Sequence, residues 1–174
     1  MASRSTKLAY LLRHDDTYNF SCAGWRTIED LCTNHEYTLD EIHTIVEKDN
    51  KGRLELSTCG KYIRAVYGHS VDVFPDLIED TPPSTLYHGT GIHCLDSILK
   101  TGIDKRGRNY VHLSISMTVA FEVGSRHGKP IVLEVNALKM AEDGIRFWKA
   151  RNNTLWLTEY VNPSYISTLK DVEL

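Results

Sequence analysis

Five short runs place arginine or histidine beside a tight glycine turn or at the end of an element. They are Leu12-Arg13-His14, Ile63-Arg64-Ala65 with Gly68-His69-Ser70, Tyr87-His88-Gly89-Thr90, Val111-His112-Leu113-Ser114 and Gly124-Ser125-Arg126-His127-Gly128. Basic groups clustered this way, with no acid inside the runs themselves, suit a site that holds phosphate oxygens, because arginine offers a planar fork of donors. The 174-residue chain as a whole carries a formal net charge of −3, so this basic character is local. Each run also has a plainer reading. Arg13 and His14 could simply complement a helix dipole, Arg64 could be a solvated hairpin arginine, and His88 could sit in an ordinary strand-to-helix turn.

The balance of charge argues against sequence-blind binding to long duplexes, which needs many neutralised phosphates. The apolar stretch Leu8 to Leu12 is too short for a leader, and no segment reaches membrane-spanning length, so a cytoplasmic location, or a nuclear one in a eukaryote, without a membrane partner is the expectation. Cys22, Cys32, Cys59 and Cys94 are scattered without metal-ligand spacing and read as reduced, buried or half-buried thiols, with no metal expected. Gly124 to Lys129 is one residue short of a phosphate loop, and Pro130 stands where a hydroxyl residue would hold magnesium. Cys94 occupies the third-glycine position after Gly89 and Gly91, which removes a Rossmann fingerprint. No G-x-S-x-G elbow is present.

The elements that must position these residues fall into two halves. An acidic stretch and the Pro82-Pro83 pair mark a boundary, giving domains 1–75 and 85–174 with a linker over 76–84. The first half predicts three helices. One runs over Thr6 to Arg13, and the other two are capped by Thr27 and Thr38, the third with an apolar face of Leu39, Ile42, Ile45 and Val46. A hairpin from Arg53 to Ser57 and Tyr62 to Tyr67 follows, and three helices then a hairpin is the order of a winged helix. The second half alternates. Strands are expected at Thr85 to His88, Tyr110 to Ser114, Ile131 to Val135, Ile145 to Trp148 and Leu155 to Thr158. One helix bears Ile92, Leu95, Ile98 and Leu99, and another is capped by Ser116. The fold class is α+β.

Taken together and in order, these stretches resemble the RNA 2′-phosphotransferase family, also called tRNA splicing 2′-phosphotransferases. Gly24-Trp25, Asp49-Asn50-Lys51-Gly52-Arg53 and Phe147-Trp148 through Trp156-Leu157-Thr158 extend the resemblance over nearly the whole chain. It implies an N-terminal winged-helix RNA lobe and a C-terminal ADP-ribosyltransferase-like lobe that binds NAD as co-substrate. It also implies a two-step reaction. An internal RNA 2′-phosphate displaces nicotinamide to give ADP-ribosylated RNA, and ADP-ribose 1″,2″-cyclic phosphate then departs to leave a 2′-OH. Arg13, His14, Arg64 and Arg126 match the family's catalytic tetrad. His88, Gly89, Thr90, His112, Leu113 and Ser114 match its NAD-binding positions, and Gly68, His69 and Ser70 are assigned to RNA. The partners implied are RNA bearing an internal 2′-phosphate and NAD, with the protein a monomer.

The chain departs from the family pattern at several points. Val66-Tyr67 precede Gly68 where Asn-Gln are common, Asp16 replaces a frequent proline, and Asn153-Thr154-Leu155 replace Asn-Gly-Val. The segment between His14 and Gly24 is short. Apolar Leu155 takes the position where other ADP-ribosyltransferases commonly have a glutamate, which fits a nucleophile that is already an anion. Two rival readings share these residues: ADP-ribosylation of a terminal nucleic-acid phosphate, and a binding module with a vestigial NAD lobe.

Overall fold

A computed structural model describes residues 3–21, 23–73, 77–150 and 155–168, and the chain divides into two units, Met1–Asp76 and Leu77–Leu174. In the first unit, α1 (Arg4–His14) starts where the Ser3 side chain accepts from the Thr6 N–H. It buries Leu8, Leu11 and Leu12 and ends with Arg13 and His14 in its last turn. A two-residue strand β1 (Arg26–Thr27) leads into α2 (Ile28–His35), capped by Thr27, and α3 (Leu39–Glu47), capped by Thr38. The side chains of Thr27 and Thr38 accept from the N–H groups of Asp30 and Glu41, satisfying helix-start donors that would otherwise be orphaned. Strands β2 (Leu54–Leu56) and β3 (Tyr62–Ala65) form the antiparallel hairpin, and β1 adds to it in the order β1-β3-β2. Leu8, Leu12, Leu31, Ile42 and Ile63 form the centre of this unit's core. Leu39, expected on the apolar face of α3, is exposed, so that face is narrower than the sequence pattern.

The second unit begins with β4 (Ile78–Glu79), inside the stretch expected to be linker. It continues with β5 (Thr85–Gly91), α4 (Leu95–Thr101), β6 (Ile103–Asp104), β7 (Val111–Ser114) and α5 (Met117–Gly124). After a 3-10 turn at Ser125–His127 come β8 (Pro130–Asn136), α6 (Ala137–Glu142), β9 (Trp148–Lys149), β10 (Leu155–Thr158), β11 (Tyr160–Val161) and β12 (Ile166–Thr168). Seven strands pair in the order β12-β8-β5-β7-β10-β9-β4, every pair antiparallel, and β6 pairs with β11 in a separate two-stranded ribbon. Leu86, Leu113, Leu133, Val135, Met140, Phe147 and Trp156 fill this unit's core.

Helices and antiparallel sheets mixed in this way make the fold α+β. The strand expected at Ile145 to Trp148 is shorter and later, because the Ile145 N–H closes the end of α6 on the Met140 carbonyl and only Trp148 and Lys149 pair. Of the face expected over Ile92 to Leu99, Ile98 is buried while Ile92 and Leu99 are exposed, since Ile92 to Cys94 form a 3-10 turn that shifts the helical phase. Cys32 and Cys94 are half-buried free thiols, but Cys59 is exposed at the hairpin turn, contrary to expectation, and Cys22 lies outside the described residues. Asn153 and Thr154 lie outside them as well. No helix among the described residues is long and apolar enough to cross a membrane.

Candidate functional site

In the first unit, strand alternation turns Ile63 and Ala65 to one face and Arg64 to the other, yet Arg64 is only 2% exposed. The register of the hairpin sets Glu55 opposite it. The Glu55 carboxylate accepts from Arg64 Nε at 2.9 Å and pairs with Nη2 at 2.8 Å, while Nη1 donates to the Ala23 carbonyl at 3.3 Å. The Trp25 ring lies 4.4 Å from the guanidinium carbon. Arg64 is therefore a pinned, stacked arginine, and the reading of it as a solvated hairpin residue is corrected. The runs lack acids in sequence, but folding brings one to this arginine.

Arg13 and His14 leave the last turn of α1. The Arg13 guanidinium lies 5.3 Å from the Tyr67 ring centre and runs along Gly68, where a Cβ would stand 3.3 Å from Nε. Gly68 also has φ +89°, a conformation that favours glycine. The Ser70 N–H donates to the Arg13 carbonyl at 3.0 Å, and the Ser70 hydroxyl bonds His14 Nδ1 at 2.8 Å. His69 sits among these groups, 3% exposed, with Nε2 buried and without a hydrogen-bond partner. Burial, then the positive fields of Arg13, His14 and Arg64, pushes its pKa down to about 4, so the imidazole is neutral at physiological pH. Three of the four expected catalytic residues thus converge on one buried histidine. The expected RNA contacts need correction. Gly68 makes room for Arg13 and His69 is sealed inside, which leaves Ser70 as the exposed member of that triplet.

In the second unit, β5 and β7 carry His88 and His112. His88 Nδ1 donates to the His112 carbonyl at 3.1 Å. Burial first, and then the charges of Arg108 and His127 against the opposing pull of that bond, lowers its pKa. Its Nε2 is therefore an acceptor. Arg108 donates to His112 Nδ1 at 3.3 Å, which leaves the proton of that ring on Nε2, a donor. Thr90 and Ser114 are buried hydroxyl residues, and the Ser114 oxygen accepts from the Ser116 N–H at 3.0 Å. Arg126 is exposed on the 3-10 turn that packs against the end of β5, where a Cβ on Gly91 would lie 2.4 Å from the His127 carbonyl. Two expectations change here. Leu113 is fully buried in the core, so its side chain cannot touch a ligand. The space left by the missing Cβ of Gly89 is filled by α5, since a Cβ there would sit 1.6 Å from the Ala120 carbonyl oxygen.

The profile of the family described as "RNA 2′-phosphotransferase, Tpt1 / KptA family" matches residues 2–160. The chain belongs to the RNA 2′-phosphotransferase family. Among similar proteins is the "Probable RNA 2′-phosphotransferase" of Acaryochloris marina (strain MBIC 11017), 43% identical over 166 residues that cover 91% of each chain. Proteins of the same name from Nostoc punctiforme (strain ATCC 29133 / PCC 73102) and Shigella boydii serotype 18 (strain CDC 3083-94 / BS512) are 38% and 39% identical over 95% of each chain. Membership in this family makes the chain a transferase with an RNA substrate.

Residues that set the geometry escaped the sequence reading. Glu55 could have been found by pairing the hairpin outward from its turn, which sets it against Arg64. Arg108 offered no comparable signal, and Trp25 and His127 stood in quoted runs without a role of their own, because nothing in their local sequence says which distant ring or guanidinium they meet.

Proposed function

We propose that this protein is an NAD-dependent RNA 2′-phosphotransferase that frees an internal RNA 2′-OH by way of ADP-ribosylated RNA. Nicotinamide and ADP-ribose 1″,2″-cyclic phosphate are the other products. On this reading the first unit is a winged-helix RNA lobe, and the second is an ADP-ribosyltransferase-like lobe. One observation carries the reading: Arg13, His14 and Arg64 gather around neutral, buried His69. An RNA 2′-phosphate monoester bears about −1.5 to −2 charges at neutral pH, and two arginine forks answer that charge without a metal.

The donor set of the second unit suits NAD. His88 Nε2 can accept from a ribose hydroxyl, His112 Nε2 can donate, Arg108 supplies a cation for a pyrophosphate, and Thr90 adds a hydroxyl. When bound, NAD supplies an electrophilic anomeric carbon and a neighbouring 2″-hydroxyl. Arg64, fixed on Glu55 and Trp25, orients the RNA phosphate for in-line displacement and later stabilises charge as it shifts among the phosphate oxygens. Arg13 holds the same phosphate, and Arg126 matches the remaining member of the family tetrad. His14, with Nδ1 engaged by Ser70, presents Nε2 to return a proton to the departing RNA 2′-oxygen.

The test is incubation of the purified protein with NAD and a short RNA bearing one internal 2′-phosphate, in excess chelator. Full conversion to 2′-OH RNA, nicotinamide and the cyclic phosphate is expected. Phosphate release without NAD, loss of activity on chelation, or a stable ADP-ribosylated end product would overturn the proposal.

A further inference from the structure

Beside His14 and Ser70, the first unit opens a cleft of about 470 Å³, a size typical of small-ligand sites. We propose that this cleft takes the nucleobase of a nucleotide adjacent to the phosphorylated ribose, stacked on the Tyr18–Phe20 pair; the assignment rests on the RNA reading above. The segment after α1 supplies Asp16, Tyr18, Asn19 and Phe20 to the wall, and Ser70 to Val73 supply the rest beside His14.

The floor of the cleft is preorganised by Arg26, a 2%-exposed arginine. Arg26 Nε donates to Asp30 at 2.6 Å, Nη1 donates to Asp15 at 2.7 Å and to the Leu11 carbonyl at 3.3 Å, and Nη2 bonds His35 Nε2 at 2.7 Å. Its guanidinium, so fixed, lies 4.2 Å from the Tyr18 ring centre. The Tyr18 hydroxyl accepts from the Thr27 N–H at 3.1 Å, and the Phe20 ring meets Tyr18 edge-on at 4.9 Å. A half-buried aromatic pair held from beneath by a buried cation is a stacking platform that needs no ordering when a base arrives.

The rim chooses between base and backbone. Asp16 and Asp72 line the cleft with carboxylates, which repel a phosphate and accept from base N–H groups. Asn19 adds an amide that can both donate and accept. Neither Arg13 nor Arg64 is among the residues that line the cleft, so its own rim disfavours a phosphate.

Three RNAs test the assignment, each with one internal 2′-phosphate: one intact, one abasic on the 5′ side of the phosphorylated ribose, and one abasic on the 3′ side. Binding is read by fluorescence anisotropy without NAD, and turnover is read separately. For the unsubstituted protein, one of the two abasic RNAs should bind roughly ten- to a hundredfold more weakly. Phe20→Leu should weaken binding of the intact RNA comparably and lose the distinction between intact and abasic RNA. Asn19→Ala, at an exposed position, should reduce base discrimination and keeps the question answerable if Phe20→Leu does not fold. Equal binding of all three RNAs, or undiminished discrimination in both variants, would overturn the assignment. A raised KM for NAD with unaltered RNA binding would also overturn it, giving the cleft to the adenine of NAD. Failure of every 2′-phosphorylated RNA to turn over would instead remove the proposed function, while the anisotropy series would still decide whether a base is bound.

Discussion

Arg64 combines two demands that a lysine cannot meet together. Its fork is shared between Glu55, the Ala23 carbonyl and the Trp25 face, and each contact uses the planar guanidinium. Arg64→Lys is therefore expected to lower the rate about 10²–10³-fold. The loss should fall mainly on the second step, so ADP-ribosylated RNA builds up while nicotinamide is still released. Single-turnover gels would show this, and unsubstituted kinetics without build-up would contradict it. Alternation along β3 revealed which face Arg64 takes, but only the partner strand revealed that the face is covered. His69 gives a second prediction. Its pKa is about 4 in the fold and about 6.5 when unfolded, so the unfolded chain binds the extra proton between those values. Stability from His69 is thus complete above pH 6.5 and is lost as pH falls toward 4, on the order of 3 kcal/mol. His88, also lowered, acts in the same direction. Urea midpoints at pH 7 and pH 4.5 should differ by less in His69→Gln than in the unsubstituted protein; equal slopes would show that His69 is not the titrating group. The sequence marked His69 only as part of a glycine-histidine-serine run, because its burial beside Arg13, His14 and Arg64 comes from elements distant in the chain.

At the scale of elements, the joint between β5 and α5 is the tightest constraint. A Cβ on Gly89 would lie 1.6 Å from the Ala120 carbonyl, and a backbone atom cannot swing aside as a side-chain tip would. Gly89→Ala should cost about 3 kcal/mol or more, separating the strand that carries His88 and Thr90 from its helix. Gly128, at φ +102° with no atom within 4 Å of its Cβ position, should lose about 1–2 kcal/mol on change to alanine. Gly107, with open space and no such φ, should change by less than about 0.5 kcal/mol. Chemical denaturation of the three variants tests this ranking, and a stable Gly89→Ala would refute the packing argument. The helix starts at Thr27, Thr38 and Ser116 were legible because a capping side chain acts within three residues. The hairpin was legible from its turn. Strands β1 and β4, two residues each, were not, since too short a run carries no periodicity, and β9 was anticipated only at its Trp148 end. Helix α6, starting where the Asn136 side chain accepts from the Lys139 N–H, was hidden behind β8, whose apolar run directly precedes it.

For the molecule as a whole, the acidic, proline-bearing stretch 76–84 was expected as a linker, whereas Ile78 and Glu79 within it form a strand of the second unit. Their pairing with Lys149 and Trp148 adds them to the second unit's sheet. A fragment spanning 77–174 is expected to fold around the Leu86–Trp156 core and to gain thermal midpoint on addition of NAD, while remaining inactive. A fragment starting at Thr85 should melt lower, since it lacks β4. No shift with NAD in the longer fragment would contradict the assignment of His88, Thr90 and His112, and turnover by either fragment would show that Arg13, His14 and Arg64 are dispensable. The same sheet bears on how the protein behaves when concentrated. Among the described residues its outermost strands, β12 and β4, span three and two residues. An unpaired ladder that short offers another copy too few donors and acceptors to template growth. The seven-stranded sheet thus ends in edges unsuited to strand-by-strand aggregation, even though its interior strands are rich in β-branched and aliphatic residues.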